Sequence, residues 1–348
     1  MQPDSHAALL SAVVVMLGLH GGTAVEGGQM GGARLSAGQV ETILTLPVGS
    51  SPEGVALDRH GNIFVGSRPS ESGAATSDIL RISPDGSVSV LATLAVAASP
   101  GTPGLLGLAI DGFGQIYAAV ASFNASTHGV WRISPDGTMV VRLPGSAQIP
   151  FPNALAFGAR SELYITDSAG GSIWRVAEDG IAREWTRHAL LAPVNPNDPL
   201  IPPVGANGIA FSPPDTLYVA NTQRGLIARV VIERDGSPGP LTTVATGVPL
   251  LTIDGIAVDV RGDIHGVVAG FALIGTHPLV RVEPHTGTIT QTPTSVGAFD
   301  VPLGIAFATG PWDPLTVFVT NGALDIGVDG PGPGLVQAAL DVPGVVRR

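Results

Sequence analysis

One short apolar phrase recurs six times along this chain, and the spacing of its copies limits the fold more than any other feature. The copies read PEGVALD, LLGLAID, FPNALAF, ANGIAFS, IDGIAVD and PLGIAFA, and one position in each is occupied in turn by Glu53, Leu106, Asn153, Asn207, Asp254 and Leu303. The intervals are 53, 47, 54, 47 and 49 residues, the repeat length of four-stranded propeller blades. Each copy opens a similar series of short β-branched and aromatic runs. After EGVALD come the turn RHGN, the run IFVGS, a loop, DILRIS, the turn PDG and SVSVLATL; the third and fourth copies repeat this order with EDG and RDG at the last turn. Asp-Gly accepts the positive φ of tight hairpin turns, so each copy predicts antiparallel strands joined by hairpins.

The sixth copy lacks a final strand before the chain ends, and the segment VETILTLP at 40–47 resembles the missing one. Borrowing it would close the ring and leave no open blade. The expected fold is therefore all-β: a single six-bladed β-propeller over 36–348, its last blade completed by an N-terminal strand. Composition agrees. Hydrophobic residues make up 44% of the 348, charged residues only 13%, and there are 47 Gly and 30 Pro, too apolar for disorder and too rich in turn formers for a helical protein.

Other classes fall away. The net charge is −11, all 17 basic residues are Arg and are scattered, and no basic stripe exists to neutralise phosphates, so no nucleic-acid partner is expected. The absence of Lys excludes Schiff-base chemistry, and the absence of Cys excludes thiol nucleophiles, disulfides and iron–sulfur clusters. The apolar run ALLSAVVVMLGL at 8–19 is too short to span a bilayer and has the length of a signal-peptide core, although MQPDSH ahead of it carries no Lys or Arg. Residues 1–25 are read as a signal peptide, which implies a secreted or periplasmic protein, and 26–35 as a flexible Gly-rich segment. No membrane partner is expected; a monomer acting on a small molecule is.

In a propeller the first strand of each blade lines the central channel, so Glu53, Asn153, Asn207 and Asp254 should face one centre. Two carboxylates and two amide oxygens form a hard-oxygen set whose charge of −2 matches Ca²⁺, an ion that takes six to eight oxygens and leaves room for water or substrate. Mg²⁺ demands a tighter octahedron, and Zn²⁺ would want His or Cys. Polar residues also line water-filled channels, but four such residues against Leu at the other two positions is harder to attribute to solvation.

The motifs SPEGVALD, FPNALAF, ANGIAFSPPDTLYVANT and DGIAVDVRGDIHGV resemble those of the superfamily of regucalcin, gluconolactonase, squid-type diisopropyl fluorophosphatase and serum paraoxonase, over about residues 40–345. In that family a Glu, two Asn and an Asp, in this order, hold a catalytic divalent ion, usually Ca²⁺, which implies the same role for Glu53, Asn153, Asn207 and Asp254. Leu106 and Leu303 stand where paraoxonases and the squid-type enzyme place a His; Gly54 and Gly255 stand where paraoxonases have acidic or amide residues; Ala257 stands where the squid-type enzyme ligates a second Ca²⁺. These departures imply one metal and a gluconolactonase-like site in which the metal and Asp254 do the chemistry. The expected activity is Ca²⁺-dependent hydrolysis of lactones or related esters, with Asp254 as base or nucleophile and Asn153 counted with it as catalytic. The competing reading is a non-catalytic binding or scaffolding propeller, like the NHL modules, since SPEGVALD occurs there too.

Asp167 and Asn221 end second strands near the same face, where they could hydrogen-bond to the ligand side chains or cap the following loops. His128 and His277 lie in loops where a general base could reach the pocket, though an exposed loop His without a role is the commoner case; His265 is expected to pack between sheets. Asn124 in FNAS is a glycosylation sequon only in a secreted eukaryotic protein. The connections near the expected mouth are apolar and carry Phe123, Phe151, Phe271, Leu250, Leu251 and Phe299, which with Leu106 and Leu303 suggest a greasy vestibule and apolar substrates; the Pro-rich stretch 189–205 is the candidate lid.

Overall fold

The computed structural model describes residues 35–68, 75–96, 103–270, 278–294, 297–323 and 330–345. The expected signal peptide, most of the Gly-rich segment, Phe271 and His277 lie outside them. Strand β1 (Val40–Thr45) comes first in the chain but belongs to the last blade. The first blade is β2 (Ser51–Leu57), β3 (Ile63–Arg68), β4 (Thr76–Ile82) and β5 (Val88–Ala95); the second is β6 (Gly104–Ile110), β7 (Ile116–Ala121), β8 (Gly129–Ile133) and β9 (Val140–Arg142). The third is β10 (Pro152–Phe157), β11 (Leu163–Asp167), β12 (Ser172–Val176) and β13 (Ala182–Arg187), and the fourth is β14 (Ala206–Ser212), β15 (Thr216–Asn221), β16 (Leu226–Val231) and β17 (Thr242–Thr246). The fifth is β18 (Ile253–Val258), β19 (Ile264–Val268), β20 (Leu279–Glu283) and β21 (Thr288–Gln291). In the sixth, β22 (Pro302–Phe307), β23 (Thr316–Asn321) and β24 (Gly334–Ala339) are followed across the sheet by β1. All pairs are antiparallel, and the expected six-bladed propeller with its borrowed strand is what forms.

Among the described residues the apolar core is divided between the blades: a large cluster lies at each of the six junctions, because the two faces of each sheet must both be covered, and a small one of Ala269, Val301 and Leu303 lies between the fifth and sixth blades. The junction that closes the ring carries extra ties between the sixth blade and the first. Trp312 Nε1 donates to the Gly61 carbonyl at 2.7 Å, Thr309 Oγ1 to the Asp58 carbonyl at 2.6 Å, and Thr320 Oγ1 to the Glu53 carbonyl at 2.6 Å. Such bonds secure a closure made by residues more than 250 positions apart.

At the axis the six innermost strands approach within backbone contact. A Cβ at Gly54, Gly107, Gly208, Gly255 or Gly304 would overlap the backbone of the next inner strand, at the carbonyls of Leu106, Asn153, Asp254, Leu303 and Glu53 in turn. The glycine after the variable position is thus set by the diameter of the ring; only the third blade has a methyl there, at Ala154. Gly208→Ala should therefore destabilise the protein by about 3 kcal/mol, the upper part of the range for overpacked sites. Gly112→Ala, where a Cβ meets nothing within 4 Å, should change stability by less than about 0.5 kcal/mol. Denaturant midpoints compare the two, and equal stability of both variants would refute the close-packed ring.

Candidate functional site

Every innermost strand slips register at the same place. The shifts fall between Pro52 and Val55, Leu105 and Leu108, Pro152 and Leu155, Ala206 and Ile209, Ile253 and Ile256, and Pro302 and Ile305. Each irregularity contains the variable position and the residue after it, and a bulge re-aims a side chain that regular alternation would point elsewhere. Glu53, Asn153, Asn207 and Asp254 together line one cavity of about 130 Å³ on the axis, with Leu303 and the backbone of Gly107 completing the ring. They are nearly buried, at 7, 4, 3 and 7% exposure, yet border open space. The cavity has room for an ion with water, or for the reacting end of a substrate, but not for a whole ligand.

The two amides are oriented by neighbouring hydroxyls. Asn153 Nδ2 lies 3.0 Å from Ser168 Oγ, and that hydroxyl lies 2.7 Å from the Ala206 carbonyl. In the next blade Asn207 Nδ2 lies 2.9 Å from Thr222 Oγ1, which lies 2.8 Å from the Ile253 carbonyl. A carbonyl only accepts, so each hydroxyl spends its single proton on it and must accept from the amide. The NH₂ of each Asn is thereby held on the hydroxyl, and its oxygen faces the other way. The backbone is held as well: Thr166 Oγ1 donates to the Asn207 carbonyl at 2.8 Å, as Thr320 does to that of Glu53. Two carboxylates and two oriented amide oxygens fit a hard divalent cation such as Ca²⁺ and lack the nitrogen or sulfur donors that Zn²⁺ prefers. Among the described residues no cluster of three or more His, Asp or Glu side chains gathers.

The remaining candidates take structural places. Asp167 caps its loop, accepting from the backbone of Phe151, Ala169 and Gly170 and from Ser172 Oγ. Asn221 donates to the Leu190 and Ala192 carbonyls and accepts from the Arg224 N–H. The residues one step further on, Ser168 and Thr222, are the ones that touch the site. His128 is buried, not an exposed loop residue. Phe123 N–H donates to its Nδ1 at 3.1 Å and its Nε2 meets the Ile149 carbonyl at 2.7 Å, which fixes the proton on Nε2 and occupies both nitrogens. The greasy vestibule is also smaller than expected. Leu250 and Phe299 are buried in the inter-blade clusters and Leu106 is 2% exposed. Phe123, in contact with Phe151 at 5.6 Å between rings, keeps an apolar surface on that face, and Leu251 is half-buried. The connection 189–205 is tied down at its base, where Gln223 Oε1 accepts from Val194 and Asn195 N–H and Asn221 holds Leu190 and Ala192; Leu191 is fully buried.

No family model matches the sequence, and no curated protein does. Solved structures do resemble the fold. A regucalcin from Agrobacterium tumefaciens, described as a calcium-binding protein, superposes with a TM-score of 0.62 at 16% identity, covering 90% of this chain and 98% of its own. A gluconolactonase from Xanthomonas campestris gives 0.59 at 19% identity, covering 88% and 89%. A virginiamycin B lyase from Staphylococcus aureus gives 0.53 at 16% identity, covering 86% and 99%. At such identities the likeness establishes the propeller fold. Its neighbours include gluconolactonase and regucalcin, the family that the sequence motifs resemble, and also a lyase.

At the opposite end of the fifth blade His265 is buried, as expected, with its ring edge-on to Phe307 of the sixth blade. It also meets a partner that the sequence does not announce: its Nε2 lies 2.9 Å from Oδ2 of the fully buried Asp259. Burial alone would raise the Asp259 carboxyl, but the bonds from His265 and from the Arg261 and Asp263 N–H groups hold it below its ordinary value. A carboxyl depressed in the folded state stabilises fully above its unfolded pKa, about 3.9, and less as pH falls through the folded value. Asp259→Asn should therefore lower the melting temperature at pH 7, and the gap from the unaltered protein should narrow as pH drops below about 4. A gap independent of pH would show that charge at this position is immaterial.

Proposed function

We propose that Glu53, Asn153, Asn207 and Asp254 hold one divalent cation, Ca²⁺ by the character of the donors, and that the protein hydrolyses lactones or related esters at that centre. The observation that carries this reading is the convergence of four oxygen-bearing side chains from four blades on one small cavity, with both amide oxygens oriented by fixed hydroxyls. When bound, the ion supplies a Lewis acid that polarises a substrate carbonyl and stabilises developing oxyanion charge. Glu53 and Asp254 offset the ion's charge, and Asn153 and Asn207 offer neutral oxygens that add ligands without adding charge. A carboxylate has two oxygens, so Asp254 can ligate with one and use the other on the reaction. It would take the proton of an attacking water, whose hydroxide adds to the carbonyl carbon, and return that proton to the alkoxide as the acyl C–O bond breaks; in the other route it would attack the carbonyl carbon itself, and water would then hydrolyse the resulting acyl–aspartyl anhydride and supply the proton of the departing alcohol. The departing arm of a lactone remains tethered, giving a hydroxy acid.

The rest of the substrate would lie across the face where Phe123, Phe151 and Leu251 stand, together with the exposed Val194 and Val248. These surfaces offer apolar contact, which favours an alkyl substituent over a polyhydroxylated ring. A hydroxyl buried without a partner costs about 1–3 kcal/mol, whereas each methylene sheltered there contributes up to about 0.8 kcal/mol.

Two outcomes follow for activity. EDTA should abolish hydrolysis and lower the melting temperature, Ca²⁺ should restore both, and Asp254→Ala and Glu53→Ala should each reduce kcat/KM by at least about a hundredfold; full activity in either variant would refute the site. Across alkyl-substituted lactones kcat/KM should rise with chain length, by up to about fourfold per methylene, and gluconolactone should be a poor substrate. A flat series, or gluconolactone as the best substrate, would show that the apolar face is not used.

A further inference from the structure

We infer that Ser168 and Thr222 are positioning residues of the channel site: each fixes one ligand amide, of Asn153 and Asn207 respectively, with its oxygen toward the cation. The inference rests on the cation reading above and extends it to two residues outside the ligand set.

Three observations support it. The hydrogen-bond directions are determined and not chosen, since the Ala206 and Ile253 carbonyls must receive the hydroxyl protons and leave the amides as donors. Ser168 and Thr222 are 1% exposed, so water does not compete for these bonds. Finally, the hydroxyls follow the amides from blade to blade. The strand pairing places Ser168 and Thr222 just after the partners of Pro152 and Ala206. The same place holds Arg68, Ala121, Ala269 and Gly322 in the four blades whose variable position is Glu53, Leu106, Asp254 or Leu303. A hydroxyl stands there in just the two blades that need an amide oriented. A carboxylate has no wrong end to present, and a leucine has no polar end, so neither requires it. If the hydroxyls served only to join blades, nothing would confine them to these two.

Each relay also ends on the carbonyl immediately before the next ligand: Ser168 holds Ala206, which precedes Asn207, and Thr222 holds Ile253, which precedes Asp254. Three of the four ligands are thus linked in series, and loosening one hydroxyl disturbs both the amide it holds and the backbone of the following ligand.

The test is Ca²⁺ titration calorimetry on the unaltered protein, Ser168→Ala, Thr222→Val, and the hydroxyl-retaining Ser168→Thr and Thr222→Ser. It is paired with NMR of the asparagine side-chain NH₂ groups in selectively labelled, calcium-free protein. Outer-shell partners of metal ligands typically contribute 10–100-fold in affinity. Ser168→Ala and Thr222→Val should weaken Ca²⁺ binding at least tenfold, and the two conservative variants should stay within about threefold of the unaltered protein. Without Ca²⁺, the NH₂ protons of Asn153 should lose exchange protection in Ser168→Ala only, and those of Asn207 in Thr222→Val only. Unchanged affinity in both hydroxyl-less variants, against saturable binding by the unaltered protein, would overturn this inference and leave the cation site standing. No saturable binding by the unaltered protein would overturn the site and this inference together. If one hydroxyl-less variant does not fold, the other carries the test alone, because the two relays lie in different blades.

Discussion

The close approach of six backbones around one axis is the constraint on which this protein depends. Each inner strand lies so near the next that a glycine is needed beside the contact at five of the six junctions. That proximity brings residues 53, 153, 207 and 254 to the rim of a single cavity. It also explains why the repeat is so regular at this point and so variable elsewhere. A propeller tolerates different loop lengths and different outer strands, but the innermost strands share one circumference, and a side chain added there would have no direction in which to move.

The same crowding makes the site rigid. In an open pocket an asparagine can rotate and offer either end to a ligand. Here the amide nitrogens are taken up by hydroxyls whose own protons are committed to carbonyls of the next blade. Backbone carbonyls of two of the four channel residues, Asn207 and Glu53, are gripped by threonines of the preceding blade. For the proposed cation the oxygen donors are therefore arranged in advance, and little reorganisation would remain for its binding to offset. The distribution is uneven: amides and their hydroxyls occupy the third and fourth blades, carboxylates the first and fifth, and leucines the second and sixth.

Much of this was legible in the sequence, because a repeat carries its own alignment. The phrase around Glu53 and its five relatives identified the inner strands, the blade count and the converging positions, and VETILTLP announced the strand that closes the ring. What escaped was the neighbourhood of those positions. Asp167 and Asn221 attract attention as polar strand ends, but strand alternation turns them toward their own loops and turns the next residues, Ser168 and Thr222, toward the adjoining blade. Periodicity cannot reveal that shift until the pairing register is known. His128 resembles an available base because it sits in a loop, whereas its loop folds back so that Phe123 N–H and the Ile149 carbonyl take both nitrogens. Leu250 and Phe299 look like vestibule residues for the same reason, and burial between blades claims them instead.

Four side chains from four blades are proposed to act as one cation site. The most direct measurement is the anomalous diffraction of a crystal soaked in terbium, a hard trivalent ion that takes oxygen ligands as Ca²⁺ does. One dominant peak is expected on the propeller axis, within coordination distance of oxygens from Glu53, Asn153, Asn207 and Asp254, displaced by excess Ca²⁺ and lost in Asp254→Ala. A channel without a peak, or peaks confined to surface carboxylates, would contradict it.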